Sequence, residues 1–273
     1  MAPPLASHLN LGCGDRRVAG WTNVDFSARA PGVIAHDLRT PLPFADNAFA
    51  VVYHSHVLEH LGPAQARQLL AECLRVLAPG GILRVVVPDL ETKARLYLDR
   101  LDAAARAPGT AAEGEHEWMV IETIDQMVRT RPGGTMLEFM RSGKAAAFVA
   151  ARIGDEYARA AAAPADSPPG RAGGWAVRTR IRARVRRLLA TLLGISDAER
   201  EELAYRRLGE LHLWMYDRVS LAAALGAAGF ADVRQEAADS GRIPGWKGGS
   251  DFLDVEAGAP RKPDSLYMEG VKP

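Results

Sequence analysis

A chain of 273 residues, 48% hydrophobic and 25% charged, is globular in composition and long enough for one sizeable α/β domain with an insertion, or for two small domains. Its formal net charge of +1 creates no overall field toward nucleic acid or membrane, and nowhere does it contain the run of about 18 apolar residues that a membrane span needs. Met1-Ala2-Pro3-Pro4 lacks a basic stretch followed by an apolar one, and the two cysteines, Cys13 and Cys73, form neither a disulfide framework nor a metal-ligand spacing, so a soluble protein of the reducing cytoplasm is expected.

Three short parallel strands come first, each ending in residues suited to an adenosine-containing ligand. Leu9-Asn10-Leu11 runs into Gly12-Cys13-Gly14, Asn23-Val24 into Asp25, and Ala35-His36 into Asp37-Leu38. Glycines at 12 and 14 let the chain turn sharply off a strand and approach a ligand with no Cβ in the way. Asp25 stands where a carboxylate could accept two ribose hydroxyls, and Asp37 where one could take an adenine amine. A lone Gly-x-Gly is weak; the three turns together carry the reading. The dinucleotide fingerprint needs a third glycine three residues after the second and an acid about 20 residues on. Here Arg17 holds the third position and Asp25 follows too soon for a full intervening helix.

Residues 49–53 read as a fourth strand and 64–77 carry apolar residues at helical spacing. Pro79-Gly80-Gly81 stops that helix, and 82–87 form a β-branched run suited to a buried strand, closed by Pro88-Asp89. The alternation predicts a parallel sheet with helices on its faces. At the end of the fourth strand stands His54-Ser55-His56-x-x-Glu59-His60. An imidazole or carboxylate there could take the proton of a hydroxyl acceptor, or the side chains could only cap the strand end. Such histidines can also ligate zinc, but no second cluster of acid or cysteine partners accompanies them in sequence, and no metal is expected.

From 92 to 210 the rhythm breaks into helical patterns, with a mobile loop expected over 160–174. Glu122, Asp125, Gln126 and Arg129 fall on adjoining turns of one helix, a face that could bind hydroxyls or simply be solvated. Residues 178–193 read as a basic helix whose stripe of Ile181, Val185, Leu188 and Leu192 is flanked by arginines. That shape suits a peripheral membrane contact, an acidic partner or a lid with solvated arginines, and it lacks the interleaved aromatics of a nucleic-acid surface. His212, Trp214 and Tyr216 offer a wall for a sugar or ring, while Asp217 suits either that wall or the N-cap of a helix over 219–229. Strands are expected over 231–237 and 265–272.

The first 90 residues resemble the class I S-adenosylmethionine-dependent methyltransferases, in the type 11-like group with a Leu-Asn-Leu-Gly-Cys-Gly opening. The resemblance rests on residues 9–14, Gly20-Trp21-Thr22-Asn23-Val24-Asp25, Leu42-Pro43-Phe44-Ala45-Asp46-Asn47-Ala48-Phe49, Val57-Leu58-Glu59-His60-Leu61 and Leu77-Ala78-Pro79-Gly80-Gly81-Ile82-Leu83. It implies a doubly wound, mostly parallel, seven-stranded Rossmann-like sheet and S-adenosyl-L-methionine as cofactor. Residues 1–91 and 211–273 would form the cofactor domain, and 92–210 a helical insertion acting as substrate lid. Cofactor contacts are expected at Asn10, Gly12, Cys13, Gly14, Asp25, Asp37, Leu38 and His54, and proton transfer at His56 or His60. Substrate contacts are expected at Gln126, Arg129, His212, Trp214 and Tyr216. Asn10 stands where most relatives carry an acid, and Ala50 where many carry Asp. The tail Arg261-Lys262-Pro263-Asp264-Ser265-Leu266-Tyr267 is similar to that of methyltransferases associated with polysaccharide assembly, which favours O-methylation of a saccharide or other polar small molecule. The alternatives are N- or O-methylation of a specialised metabolite, or a non-catalytic cofactor-binding protein that docks through its basic segment.

Overall fold

A computed structural model describes residues 6–28, 30–162, 196–206, 209–246 and 253–273. Its strands in chain order are β1 (Ala6–Leu11), β2 (Thr22–Asp25), β3 (Val33–Ala35), β4 (Phe49–Ser55), β5 (Leu77–Pro88), β6 (Ala231–Glu236), the hairpin pair β7 (Val255–Glu256) and β8 (Ala259–Pro260), and β9 (Ser265–Val271). Seven of them form one sheet in the order β3-β2-β1-β4-β5-β9-β6, parallel through β5, with β9 antiparallel to both its neighbours. The chain leaves β1 toward β2 and β3, then returns to lay β4 on the other side of β1. That reversal opens a crevice beyond the carboxyl ends of the strands, where ligands of open α/β sheets bind. Leu11 lies opposite both Val24 and His54, so the ends of β1, β2 and β4 face one another across it.

Helix α1 (Pro63–Val76) starts with proline at its first turn and buries Ala66, Leu69, Leu70, Cys73 and Val76, a helical stripe that packs on the sheet with Leu9, Leu11, Val52 and Val85. The alternate strand positions Val51, Tyr53 and Val86 pack on the opposite face with Ile243, Trp246 and Leu253. The Pro79-Gly80-Gly81 turn does not separate helix from strand as expected. The helix ends at Val76, β5 begins at Leu77, and the three residues lie in an irregularity where pairing with β4 jumps from Phe49↔Leu77 to Val51↔Ile82. Backbone crowding explains glycine there: a Cβ on Gly81 would lie 2.8 Å from the carbonyl oxygen of Ala78 and 3.0 Å from that of Ala50.

Between β5 and α8 (Arg218–Ala227) run α2 (Leu90–Arg106), α3 (Ala111–Val128), α4 (Gly134–Ser142), α5 (Ala146–Ile153), α6 (Asp155–Ala162) and α7 (Asp197–Arg206). Trp118, Met119, Met136, Phe139, Met140, Val149 and Ile153 form a further apolar cluster among them. The buried Lys93 of α2 ties these helices to the sheet, lying 3.4 Å from Glu122 of α3 and 3.3 Å from Asp264 just before β9, while Arg152 of α5 meets Glu122 at 2.7 Å. Asp217 caps α8, accepting the N–H groups of Val219 and Ser220 at 2.9 and 2.7 Å. The basic segment 178–193 and residues 163–174 of the expected loop lie outside the described residues. Among the described residues no helix is long and apolar enough to cross a membrane.

Candidate functional site

After β1 the chain turns through Gly12 (φ 65°) and Gly14 (φ 51°), left-handed backbone that suits glycine. At Gly12 a Cβ would stand 2.3 Å from Cγ2 of Val57, so both conformation and space demand glycine; around Gly14 nothing stands within 4 Å, which leaves the turn open on that side. Asp25, at the end of β2, accepts the N–H of Gly14 at 2.9 Å on one oxygen and that of Ser27 at 3.2 Å on the other. A carboxylate has about four acceptor positions, so lone pairs remain for a pair of hydroxyls. Asp37 takes a two-pronged hydrogen bond from Arg39, 2.8 Å to each oxygen, which holds its carboxyl below the ordinary range. The Arg39 guanidinium lies 5.9 Å from the ring centre of Phe26, itself 59% exposed.

These turns open into a cleft of about 270 Å³. Six of the expected residues line it: Gly12, Asp25, Asp37, Leu38, His56 and His60. Sequence reasoning missed Phe26, Arg39, Gln65, Arg206 and Leu213, which also line it. Asn10 points elsewhere. Its amide donates to the carbonyl of Arg16 at 2.9 Å and to Oδ1 of Asn23 at 3.1 Å, and Asn23 in turn donates to the carbonyls of Val18 and Trp21. This amide pair pins the loop that replaces a helix between β1 and β2. Cys13 is buried behind the turn, and burial, reinforced by Asp25, pushes its thiol up to about 11. His54 is fully buried with no hydrogen-bond partner on either ring nitrogen, and burial pushes it down to about 4, which leaves it neutral.

His56 follows β4 with a left-handed φ of 53°, unusual for a side chain larger than hydrogen, and the kink sets Val57 against Gly12. Its Nε2 hydrogen-bonds Ser265 Oγ at 2.9 Å, and its Nδ1 lies 3.1 Å from Oε1 of Glu59. Burial, then the charge of Lys262, holds His56 well below the usual histidine range. Glu59 sits on the short 3-10 turn Leu58–His60 with no solvent exposure. Neither of its carboxyl oxygens has an aligned hydrogen bond, and burial pushes the acid up to about 8. His60 places Nδ1 3.1 Å from the carbonyl oxygen of Leu211. A carbonyl only accepts, so Nδ1 carries the proton and Nε2 keeps a lone pair.

Segment 211–214 is zipped to this turn. The N–H groups of Leu213 and Trp214 both donate to the carbonyl of Glu59, at 2.7 and 3.2 Å, and that of His212 to the carbonyl of Gln126 at 3.0 Å. The pairing brings the His212 ring edge-on to His60, with centroids 4.8 Å apart. Ligand atoms of Glu59, His60 and His212 lie within 4.8 Å of one another. Burial lowers His60 to about 4 and His212 to about 2, so both imidazoles are neutral. The other expected substrate residues scatter. Arg129 donates to the carbonyl of Glu210 at 3.3 Å, and Trp214 is 46% exposed beside the cleft-lining Leu213. Tyr216 packs in the core under the sheet, its backbone bridged to Asp89, so its ring is structural and forms no wall of this cleft. Ser265 and Leu211 went unnoticed as partners of the histidines, although Ser265 lies within the tail motif 261–267.

Residues 9–85 match the methyltransferase-domain family. A probable S-adenosylmethionine-dependent methyltransferase of Mycolicibacterium smegmatis is 36% identical over 98 residues, an alignment covering 30% of this chain and 37% of that protein. The chain thus spans little more than a third of the length of that curated relative. Two solved structures overlap nearly the whole chain at low identity. One is the Haloferax volcanii putative methyltransferase in complex with the Trm112 methyltransferase activator, 13% identical, covering 98% of this chain and 82% of that one with a TM-score of 0.39. The other is a Thermotoga maritima S-adenosylmethionine-dependent methyltransferase, possibly a histamine N-methyltransferase by its description, 13% identical, covering 97% and 81% with a TM-score of 0.39.

Proposed function

From the match of residues 9–85 to the methyltransferase-domain family, we propose an S-adenosyl-L-methionine-dependent enzyme that methylates a hydroxyl of a saccharide or other polar small molecule. One observation carries this reading: the glycine turn with Asp25, Asp37 and Leu38 opens into the same cleft as His56 and His60. The glycine cradle fits the cofactor. Gly12 leaves no room for a side chain, Gly14 faces open space, and Asp25 is already oriented by the backbone with lone pairs to spare for ribose. Asp37 and Leu38 would meet the adenine, with Phe26 as a stacking face, and Gly14 would border the methionine end, with the buried Cys13 and His54 behind it. Asn10 contributes through the loop it pins.

When bound, the cofactor supplies a sulfonium methyl that moves to the acceptor oxygen as the carbon–sulfur electron pair returns to sulfur. His56 receives the hydroxyl proton on Nε2, the nitrogen that already hydrogen-bonds a hydroxyl at Ser265, while Glu59 stands behind Nδ1 and orients the ring. A proton taken by His56 would offset the positive charge that the donor gives up, so the site would carry the same net charge before and after. Aligning the acceptor contributes several kcal/mol of its own, on the order of 7 or more for a well-held pair. In this reading the described helices between β5 and α8 serve the substrate side, with Arg206 lining the cleft and His212 and Trp214 flanking the cleft-lining Leu213.

Calorimetric titration with S-adenosylmethionine and, separately, with NADH tests the reading. The donor alone should bind, and Asp25→Ala should weaken it roughly tenfold or more, the worth of hydrogen bonds to a charged group. Release of S-adenosylhomocysteine on adding saccharide acceptors should follow. Absence of donor binding by the intact chain would overturn the proposal.

A further inference from the structure

We propose that Glu59, His60 and His212 form a binding site for one divalent ion of the zinc type at the wall of the cleft. The set is two imidazoles and one carboxylate, the donor set of three-ligand zinc sites that keep a fourth position for water or substrate. Their ligand atoms already lie within 4.8 Å of one another, against the roughly 3.4 Å that tetrahedral bonds of about 2.0–2.2 Å require, so side-chain adjustment alone closes the site. Two further observations point to a ligand. Both carboxyl oxygens of the fully buried Glu59 are without an aligned hydrogen bond, and Nδ1 of His56 stands 3.1 Å from Oε1. His60 gives its Nδ1 proton to the carbonyl of Leu211, the outer hydrogen bond by which metal-binding imidazoles are oriented, and so keeps Nε2 for the ion.

The site is held by backbone rather than by chance proximity of surface groups. Leu213 and Trp214 donate to the carbonyl of Glu59, and His212 to that of Gln126, which locks the two ligand-bearing segments together. Lys262 and Arg129 act on the same imidazoles and oppose a dication, so the site depends on the charge of Glu59. Binding of the ion rests on these side chains alone, whereas its role rests on the methyl-transfer reading. There the open position, on the side where His60 lines the cleft, holds the acceptor hydroxyl and makes it more acidic; the proton passes to His56 and the oxygen is left to attack the methyl carbon.

The full chain, stripped with a chelator and dialysed, is titrated with Co²⁺ while visible d–d absorption is followed, and zinc is then added in competition. Intense bands of low-coordinate cobalt that saturate at one ion per chain and vanish on adding zinc are expected. Glu59→Gln, which keeps shape and removes charge, and His212→Ala should each weaken cobalt binding about tenfold or more. Retained titration by S-adenosylmethionine serves as the check that each variant is folded. Absence of a saturating band in the unmodified chain, or equal cobalt affinity in a folded Glu59→Gln or His212→Ala, overturns the site. Donor binding and methyl transfer that persist in chelator would then leave the methyltransferase reading standing.

Discussion

Two buried polar clusters, one beside each face of the central strands, are built to opposite rules. Arg84 of β5 is fully buried, yet all five of its N–H groups have acceptors: Asp254, Glu269 and the carbonyls of Ser240, Ala237 and Ala238. Tyr53 completes the set by donating to Asp254 at 2.6 Å, and Trp246 lies 4.5 Å from the guanidinium. Around Glu59 the burial is equally deep, but its carboxyl oxygens and both nitrogens of His54 have no aligned partner. A satisfied network fixes one arrangement of the core, while polar atoms without aligned bonds leave theirs less determined. The first cluster is therefore complete in itself, whereas the second is the one on which the proposed chemistry rests.

The strongest attempt to break this contrast is Arg84→Met. It strands Asp254 and Glu269 without a counter-charge and should remove about 3–5 kcal/mol of unfolding free energy, read by urea denaturation. Glu59→Gln, with no aligned bond to lose, should move the same measurement by less than about 1 kcal/mol; comparable losses in the two variants would mean that the clusters are alike. Next in size, His56→Gln should lower turnover roughly a hundredfold while calorimetry shows donor binding preserved. Parallel loss of both would assign His56 to folding rather than to proton transfer. The smallest effect concerns pH. Arg39 lowers the Asp37 carboxyl below its ordinary value of 3.8, so the ionised form, and whatever it contributes to cofactor binding, is present above that value and lost only as pH falls through the lowered one. Donor affinity measured from neutral down to mild acid should show no Asp37 titration, and Arg39→Ala should make the acid-side fall begin earlier.

The glycine-and-acid side of the cleft was legible in the sequence, and the histidine side only in fragments. Gly12, Gly14, Asp25 and Asp37 each stand at the end of a strand or just beyond it, and spacing along short parallel strands is enough to bring such turns to one edge. The histidine cluster was equally visible, but its partners were not: Ser265 is 209 residues from His56, and Leu211 is 151 from His60. Tyr216 looked like a binding wall because it follows His212 and Trp214, yet the bridge to Asp89 turns it into the core.

Strand alternation, the glycine turn and the two acids were determined by the sequence alone, because each depends on backbone freedom and periodicity within a few residues. Only the tertiary structure decided which nitrogen of His60 is free, that Asn10 pins a loop, and that the buried Glu59 carboxyl has no aligned hydrogen bond. Those properties arise where segment 211–214 is hydrogen-bonded onto the 3-10 turn and β9 inserts between β5 and β6, contacts whose partners are distant in the chain and therefore leave no local pattern to read.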